Sequence, residues 1–248
     1  MKHKIISVVL GLLACGALRA ADTAPTNQVA DAIAKLKAAS NYSWTVTLVI
    51  PDSPWTPSPV KGQADKDGFA TMSQEFNDNT IQVALKGDKV AVKGEDGWQL
   101  VGGEGAGPET FFAAALARNG AAAQEAGIIL KDLKELKAVE GNALGGDLTS
   151  DGATDLMTFG PRRASTNNAQ GFPPPKNVKG SAKFWVKDGA LAKFESHLHG
   201  TVSFGDNENE MDITRTVEIQ NVGTTKMEIP AEAKKKLEAK PEAAPAAK

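Results

Sequence analysis

Cysteine is nearly missing from this chain: Cys15 is the only one in 248 residues. It lies in an N-terminal leader, so the rest of the chain has no internal disulfide and no thiol nucleophile. Stability must come from a buried core. Histidine is scarce as well, limited to His3, His197 and His199. Aromatic residues make up 6%, few for an aromatic-lined cleft in which paired carboxylates would work on sugars. The apolar run at residues 5–14 is too short to cross a bilayer. A basic stripe is missing too. The formal net charge is −2, and loss of residues 1–20 would remove Lys2, Lys4 and Arg19 but no acid. A mildly acidic domain without clustered cations is not built for nucleic acid.

What is present begins with a leader. The basic start Met1-Lys2-His3-Lys4, an apolar run and the small residues before Ala20-Ala21-Asp22 make residues 1–20 a secretory signal peptide. Two exits follow. Cleavage after Ala20 releases a periplasmic or secreted protein. Alternatively, Leu12-Leu13-Ala14-Cys15 resembles a bacterial lipobox, and a lipidated Cys15 tethers the protein to a membrane. Residues 21–237 suffice for one domain with one core. The Ala/Pro/Lys-rich residues 238–248 form a disordered tail.

Alternation of period two dominates the rest. Between residues 180 and 204, Ala182, Phe184 and Val186 share a face, as do Ala192, Phe194, Leu198, Val202 and Phe204. Asp188-Gly189 sits between the two runs, a strong hairpin signal. Earlier runs repeat the pattern: residues 41–50, then hairpins around Asp67-Gly68 and Gly87-Asp88, then a short strand from Asp96. Strands at this spacing predict an antiparallel sheet that curls, with Lys and Gly on a solvated outer side. A helix capped by Asn27 is expected to about Ala39, with Val29, Ala32, Ile33 and Leu36 on one stripe. Patchy helix is expected from Pro108 to about Leu136, interrupted at Gly120 and Gly127. One strand follows over residues 138–148, then a helix capped by Thr149. Residues 160–179 read as a flexible loop, 205–210 as a turn, 211–222 and 226–229 as strands, and a last helix begins at Pro230. Arg215, among apolar neighbours, must reach out or find a partner.

This order of elements, with Tyr42-Ser43-Trp44, Asp96-Gly97-Trp98 and the closing run Gly223-Thr224-Thr225-Lys226-Met227-Glu228-Ile229-Pro230, resembles the periplasmic lipoprotein-carrier (LolA/LolB-like) superfamily. The resemblance covers residues 27–237. It implies an α+β fold: a strongly curved antiparallel half-barrel sheet with helices covering its concave face. It also implies a hydrophobic ligand, either a small molecule such as a lipid or an acylated protein. Carriers of this kind close with a latching arginine, and Arg118, Arg162, Arg163 and Arg215 are all left open for that role.

The candidate ligand-binding residues on the concave face are Trp44, Val46, Leu48, Met72, Val83, Leu85, Phe184, Phe194, Leu198 and Val202. The helix bearing Phe111, Phe112 and Leu116 would be the lid, hinged at residues 102–107. The competing reading is a structural or protein-interaction module of the cell envelope, whose same side chains fill a closed core. Other chemistry is weaker. His197 and His199 share a strand face with Glu195, but a zinc ion needs more than this triplet. The glycine-rich residues 102–107 match neither phosphate-binding fingerprint. Asp206, Glu208, Glu210 and Asp212 lack calcium-loop spacing. No Gly-x-Ser-x-Gly elbow occurs, so the expectation is a non-enzymatic protein without metal or cofactor.

Overall fold

The computed structural model describes residues 24–51, 53, 56–76, 79–101, 108–158, 173–205 and 207–239. The leader with Cys15, the expected hinge at 102–107, most of the expected loop at 160–179 and the tail from residue 240 lie outside them.

Among the described residues, eleven strands form one sheet. They are β1 (Asn41–Val49), β2 (Val60–Asp65), β3 (Phe69–Phe76), β4 (Asn79–Lys86), β5 (Lys89–Gly94), β6 (Gly97–Leu100), β7 (Lys137–Val139), β8 (Ala143–Asp147), β9 (Lys176–Lys187), β10 (Ala190–Phe204) and β11 (Asn207–Gln220). Their spatial order is β6-β5-β4-β3-β2-β1-β11-β10-β9-β8-β7. Every strand pairing among the described residues is antiparallel, and β6 and β7 remain as separate edges. The helices are α1 (Pro25–Ala38), α2 (Pro108–Ala117), α3 (Ala122–Lys131), α4 (Ser150–Met157) and α5 (Ala231–Glu238).

A flat sheet of this width would measure roughly 48 Å across its strands, far wider than a few helices can cover. Yet one continuous apolar cluster joins Val92 of β5 to Phe184 of β9 through side chains of α1 to α4. The sheet therefore curls around these helices: α1 lies against α3, β9 and β10, α2 against β4 and β5, and α4 against β9 and β10. This is the open α+β half-barrel that the resemblance implies, built on the curling antiparallel sheet that the strand pattern predicts.

Register explains how one face stays apolar. One inner row runs Ile219, Trp44, Gly62, Met72, Val83 and Val92 across β11 to β5. A second runs Val60, Val46, Val217, Phe194, Phe184 and Leu144 from β2 to β8. Gly62 is glycine for a steric reason: a Cβ there would stand 2.2 Å from Cε2 of Trp44, whose indole lies over the strand. Asp188 (φ 53°) and Gly189 (φ 71°) turn the chain between β9 and β10, as a two-residue hairpin loop of the primed type requires.

Several expectations are corrected. Helix α1 starts at Pro25, not after Asn27, because proline presets the backbone at the first turn. Gly127 does not interrupt α3, and the helix stops at Lys131. Residues 138–148 are two strands, β7 and β8, around a turn at Gly141 (φ 79°). Strand β9 begins at Lys176, inside the expected loop, and β11 begins at Asn207, inside the expected turn. A bulge between Leu191 and Lys193 buries Leu191 in place of Ala192. Residues 226–229 join no strand, since β11 already has β1 and β10 on its two sides. They run instead over the convex face, where Met227 and Ile229 join a second apolar cluster of Phe69, Ala84, Ala91, Trp98, Ala233 and Leu237. Helix α5 thus covers part of the side expected to be solvated.

Replacing Gly62 with Ala forces the Trp44 ring out of place, and overpacking of this kind costs about 1–3 kcal/mol. Urea denaturation should show that loss. In a Trp44→Leu background, the same Gly62→Ala change should cost much less.

Candidate functional site

Most of the concave-face candidates are brought together in one buried cluster. Trp44, Val46, Met72, Val83 and Leu85 belong to it from β1, β3 and β4, and Phe184, Phe194, Leu198 and Val202 from β9 and β10. Phe184 and Phe194 stack with ring centroids 6.1 Å apart. Helices meet this floor with small residues: Ala113 and Ala117 of α2, Ala122, Ala123 and Ala126 of α3, Ala153 of α4. Alanine faces let helix axes approach closely and leave little room between layers. Leu48 is only half-buried, opposite Arg215 in the β1–β11 register.

The α2 end is different. Leu116 is partly buried, as are Ile81, Val90 and Val101. Phe112 is 46% exposed and Phe76 37%, and their rings lie 5.6 Å apart. The side chain of Phe111 lies outside the described residues. Phe76 closes β3 at the rim where β1 ends at Val49, itself exposed. These exposed apolar groups lie along one rim of the half-barrel.

Among the described residues, two polar contacts bind α3 to the concave face. Arg215 of β11 makes a bidentate pair with Glu125 of α3: Nε donates to Oε1 at 2.6 Å and a terminal NH2 donates to Oε2 at 3.0 Å. Glu125 is 1% exposed, and Asn119 Nδ2 also donates to its Oε1. The arginine that the sequence left open therefore finds its partner on a helix. Glu125 was not singled out from the sequence. Its one signal is a lone acid in the apolar run Ala122-Ala123-Gln124-Glu125-Ala126. Tyr42 of β1 makes the second contact. Its hydroxyl accepts from the backbone N–H of Ala123 and so caps α3, whose own N-cap residue Ala121 supplies no side-chain acceptor. Burial raises the Tyr42 pKa from 10.0 to about 12, against a smaller lowering by that hydrogen bond. Arg118 ties the end of α2 to α4 through Asp155, at 3.0 Å.

On the convex face, His197 Nε2 lies 2.9 Å from Asp212 Oδ1, and His199 Nδ1 is 3.9 Å from the other oxygen. Glu195 turns to Lys183 and Thr216 instead, so the triplet read from the strand pattern is not assembled. Among the described residues no three His, Cys, Asp or Glu side chains are placed to hold a metal ion. No helix among them is long and apolar enough to cross a membrane.

No protein-family model matches this chain, and no curated protein matches it. Among solved structures it is similar to LprF from Mycobacterium bovis, with TM-score 0.42, 12% identity, and coverage of 85% of this chain and 100% of that one. It is also similar to a LolA superfamily protein from Nitrosomonas europaea, with TM-score 0.33, 8% identity, and coverage of 83% and 96%.

Tyr42 is the only tyrosine, so its ionisation can be read directly by absorbance near 295 nm. The folded pKa lies above the unfolded one. The stability linked to the neutral phenol is therefore complete below about pH 10 and is lost as the pH rises through about 12. Tyrosinate should form near pH 12 in the native protein and near pH 10 in concentrated urea; a native midpoint near 10 would contradict the buried cap. For the ion pair, Arg215→Leu strands a buried carboxylate and should cost about 3–5 kcal/mol in denaturant titration. The joint change Glu125→Leu with Arg215→Leu should recover most of that loss.

Proposed function

We propose that this protein is an exported, non-enzymatic binder of a hydrophobic chain, taken up between α2 and the β4–β5 part of the concave face. The ligand is an acyl chain, a lipid or the lipid part of an acylated protein. One observation carries this reading. Helix α2, Pro-Glu-Thr-Phe-Phe-Ala-Ala-Ala-Leu-Ala, is apolar on nearly every side, and such a helix is ordinarily buried. Here it presents Phe112 beside Phe76 at the rim, and it packs on β4 and β5, where Ile81, Val90 and its own Leu116 are only partly covered. An apolar chain entering there would shield these groups, at about 0.8 kcal/mol for each buried methylene before ordering costs.

In this reading α2 is the movable lid and Leu116 its contact with the floor. Trp44, Val46, Met72, Val83 and Leu85 form the wall reached when the lid lifts, and Leu48 lies towards the rim. Phe184, Phe194, Leu198 and Val202 back the far side. The Arg215–Glu125 pair holds α3 down while α2 moves. Export follows from the leader at residues 1–20, with Cys15 as the alternative membrane anchor. A second reading has its own support: Val83 and Phe184 are 0% exposed and Phe194 1%. So tight a floor suits a closed structural or protein-interaction module of the cell envelope.

The deciding experiment is delipidation of the full chain, then titration with a fluorescent fatty acid. Saturable binding that Phe112→Asp weakens at least tenfold is the expected result. Phe112 is exposed enough for the variant to keep its fold by circular dichroism. Absence of saturable binding, with no lipid co-purifying in native mass spectrometry, leaves the closed module as the function.

A further inference from the structure

The convex face carries a second concavity, independent of the concave-face reading. Its floor is two adjacent rows of outward side chains. One row runs Gln220, Ser43, Gln63 and Thr71 across β11, β1, β2 and β3. The next runs Thr45, Lys61, Ser73 and Gln82 across β1 to β4. Trp98 stands on the β6 side, and Glu228 and Pro230, just before α5, form a bank. The segment carrying that bank is tied to the start of β1: Thr225 N–H donates to Asn41 Oδ1 at 2.7 Å, and Gly223 N–H to the Asn41 carbonyl at 2.7 Å. The groove has a volume of about 520 Å³, within the roughly 300–1,000 Å³ of small-ligand sites.

Its chemistry is unlike an ordinary solvated sheet face, where long charged side chains predominate. Hydroxyls and carboxamides line it, and Lys61 and Glu228 are its only ionisable groups among the described residues. Ser43 is engaged, donating to the Gln220 carbonyl and accepting from Asn221. Gln63, Gln82, Thr45, Thr71 and Ser73 are half-buried and make no side-chain hydrogen bond to a described residue. Each offers both a donor and an acceptor. The backbone beneath is committed to ladder bonds on both sides, so an extended peptide would find no strand edge there. A charged ligand would find one opposite charge beside one like charge.

We propose that this groove binds a neutral, hydroxyl-rich ligand: a short stretch of saccharide chain. The ligand hydroxyls are read by the Gln63, Gln82 and Gln220 carboxamides and by the hydroxyls of Thr45, Thr71 and Ser73. The sequence argument against a glycosidase does not touch this site, which binds through hydrogen bonds, with Trp98 at its β6 side.

The test uses the full chain with three soluble probes, cellohexaose, maltohexaose and chitohexaose, in calorimetry and saturation-transfer NMR. The insoluble polymers cellulose, starch and chitin serve in sedimentation. Saturable binding of at least one hexasaccharide is expected. Gln63→Leu with Gln82→Leu should weaken it at least tenfold, and the near-isosteric Thr71→Val should weaken it without risk to the fold. Phe112→Asp should leave it unchanged, which separates this site from the concave one. Retention on the matching polymer assigns a polysaccharide as the source; binding of the hexasaccharide alone assigns a short free chain. No saturable binding to any probe overturns the proposal, as does binding that both groove variants leave intact.

Discussion

An open sheet of eleven strands cannot bury a continuous apolar face unless it curls around something, and this constraint governs the molecule. Helices α1 to α4 are what it curls around. The faces of α2 and α3 toward the sheet are rich in alanine, while α1 adds Val29, Ile33 and Leu36 to the interior. Trp44, Phe184 and Phe194 are among the largest side chains that the strands add. Even the glycine in the row follows from this arrangement, because the Trp44 ring takes the space a Gly62 side chain would need.

Small apolar contacts alone set no orientation for a helix on such a floor. The polar contacts do. Arg215 and Glu125 meet in fork-to-fork geometry, which tolerates little rotation, and Tyr42 fixes the start of the same helix. Both contacts pin α3. Helix α2 is held at its C-terminal end, through Arg118 and Asp155, while its N-terminal side carries the exposed Phe112.

The two faces of the sheet are therefore chemically separate. The concave face is apolar and nearly filled. The convex face carries an apolar patch under α5, centred on Phe69 and Trp98, a neutral polar groove between that helix and β11, and the charged side chains of β9 to β11 beyond it. The final segment of the chain creates the patch and the groove, since residues 225–230 cross from Asn41 to Trp98.

Local pattern determined a good deal. Period-two alternation placed the strands and sorted Trp44, Val46, Met72, Val83, Phe184, Phe194, Leu198 and Val202 onto one buried side. The stripe Val29, Ala32, Ile33 and Leu36 located α1, and Thr149 capped α4 as read. These signals are carried by neighbours along the chain, through side-chain direction and turn geometry. Tertiary structure alone decided the rest. Arg215 and Glu125 are 90 residues apart, and no period connects them. Tyr42 caps a helix 81 residues away, where local capping rules find only alanine. Residues 226–229 alternate like a strand, yet they pair with nothing because β1 and β10 had already taken both sides of β11. Alternation tells which side chains share a face. Which element covers that face depends on the pairing order of the whole sheet, a long-range property that no stretch of sequence contains.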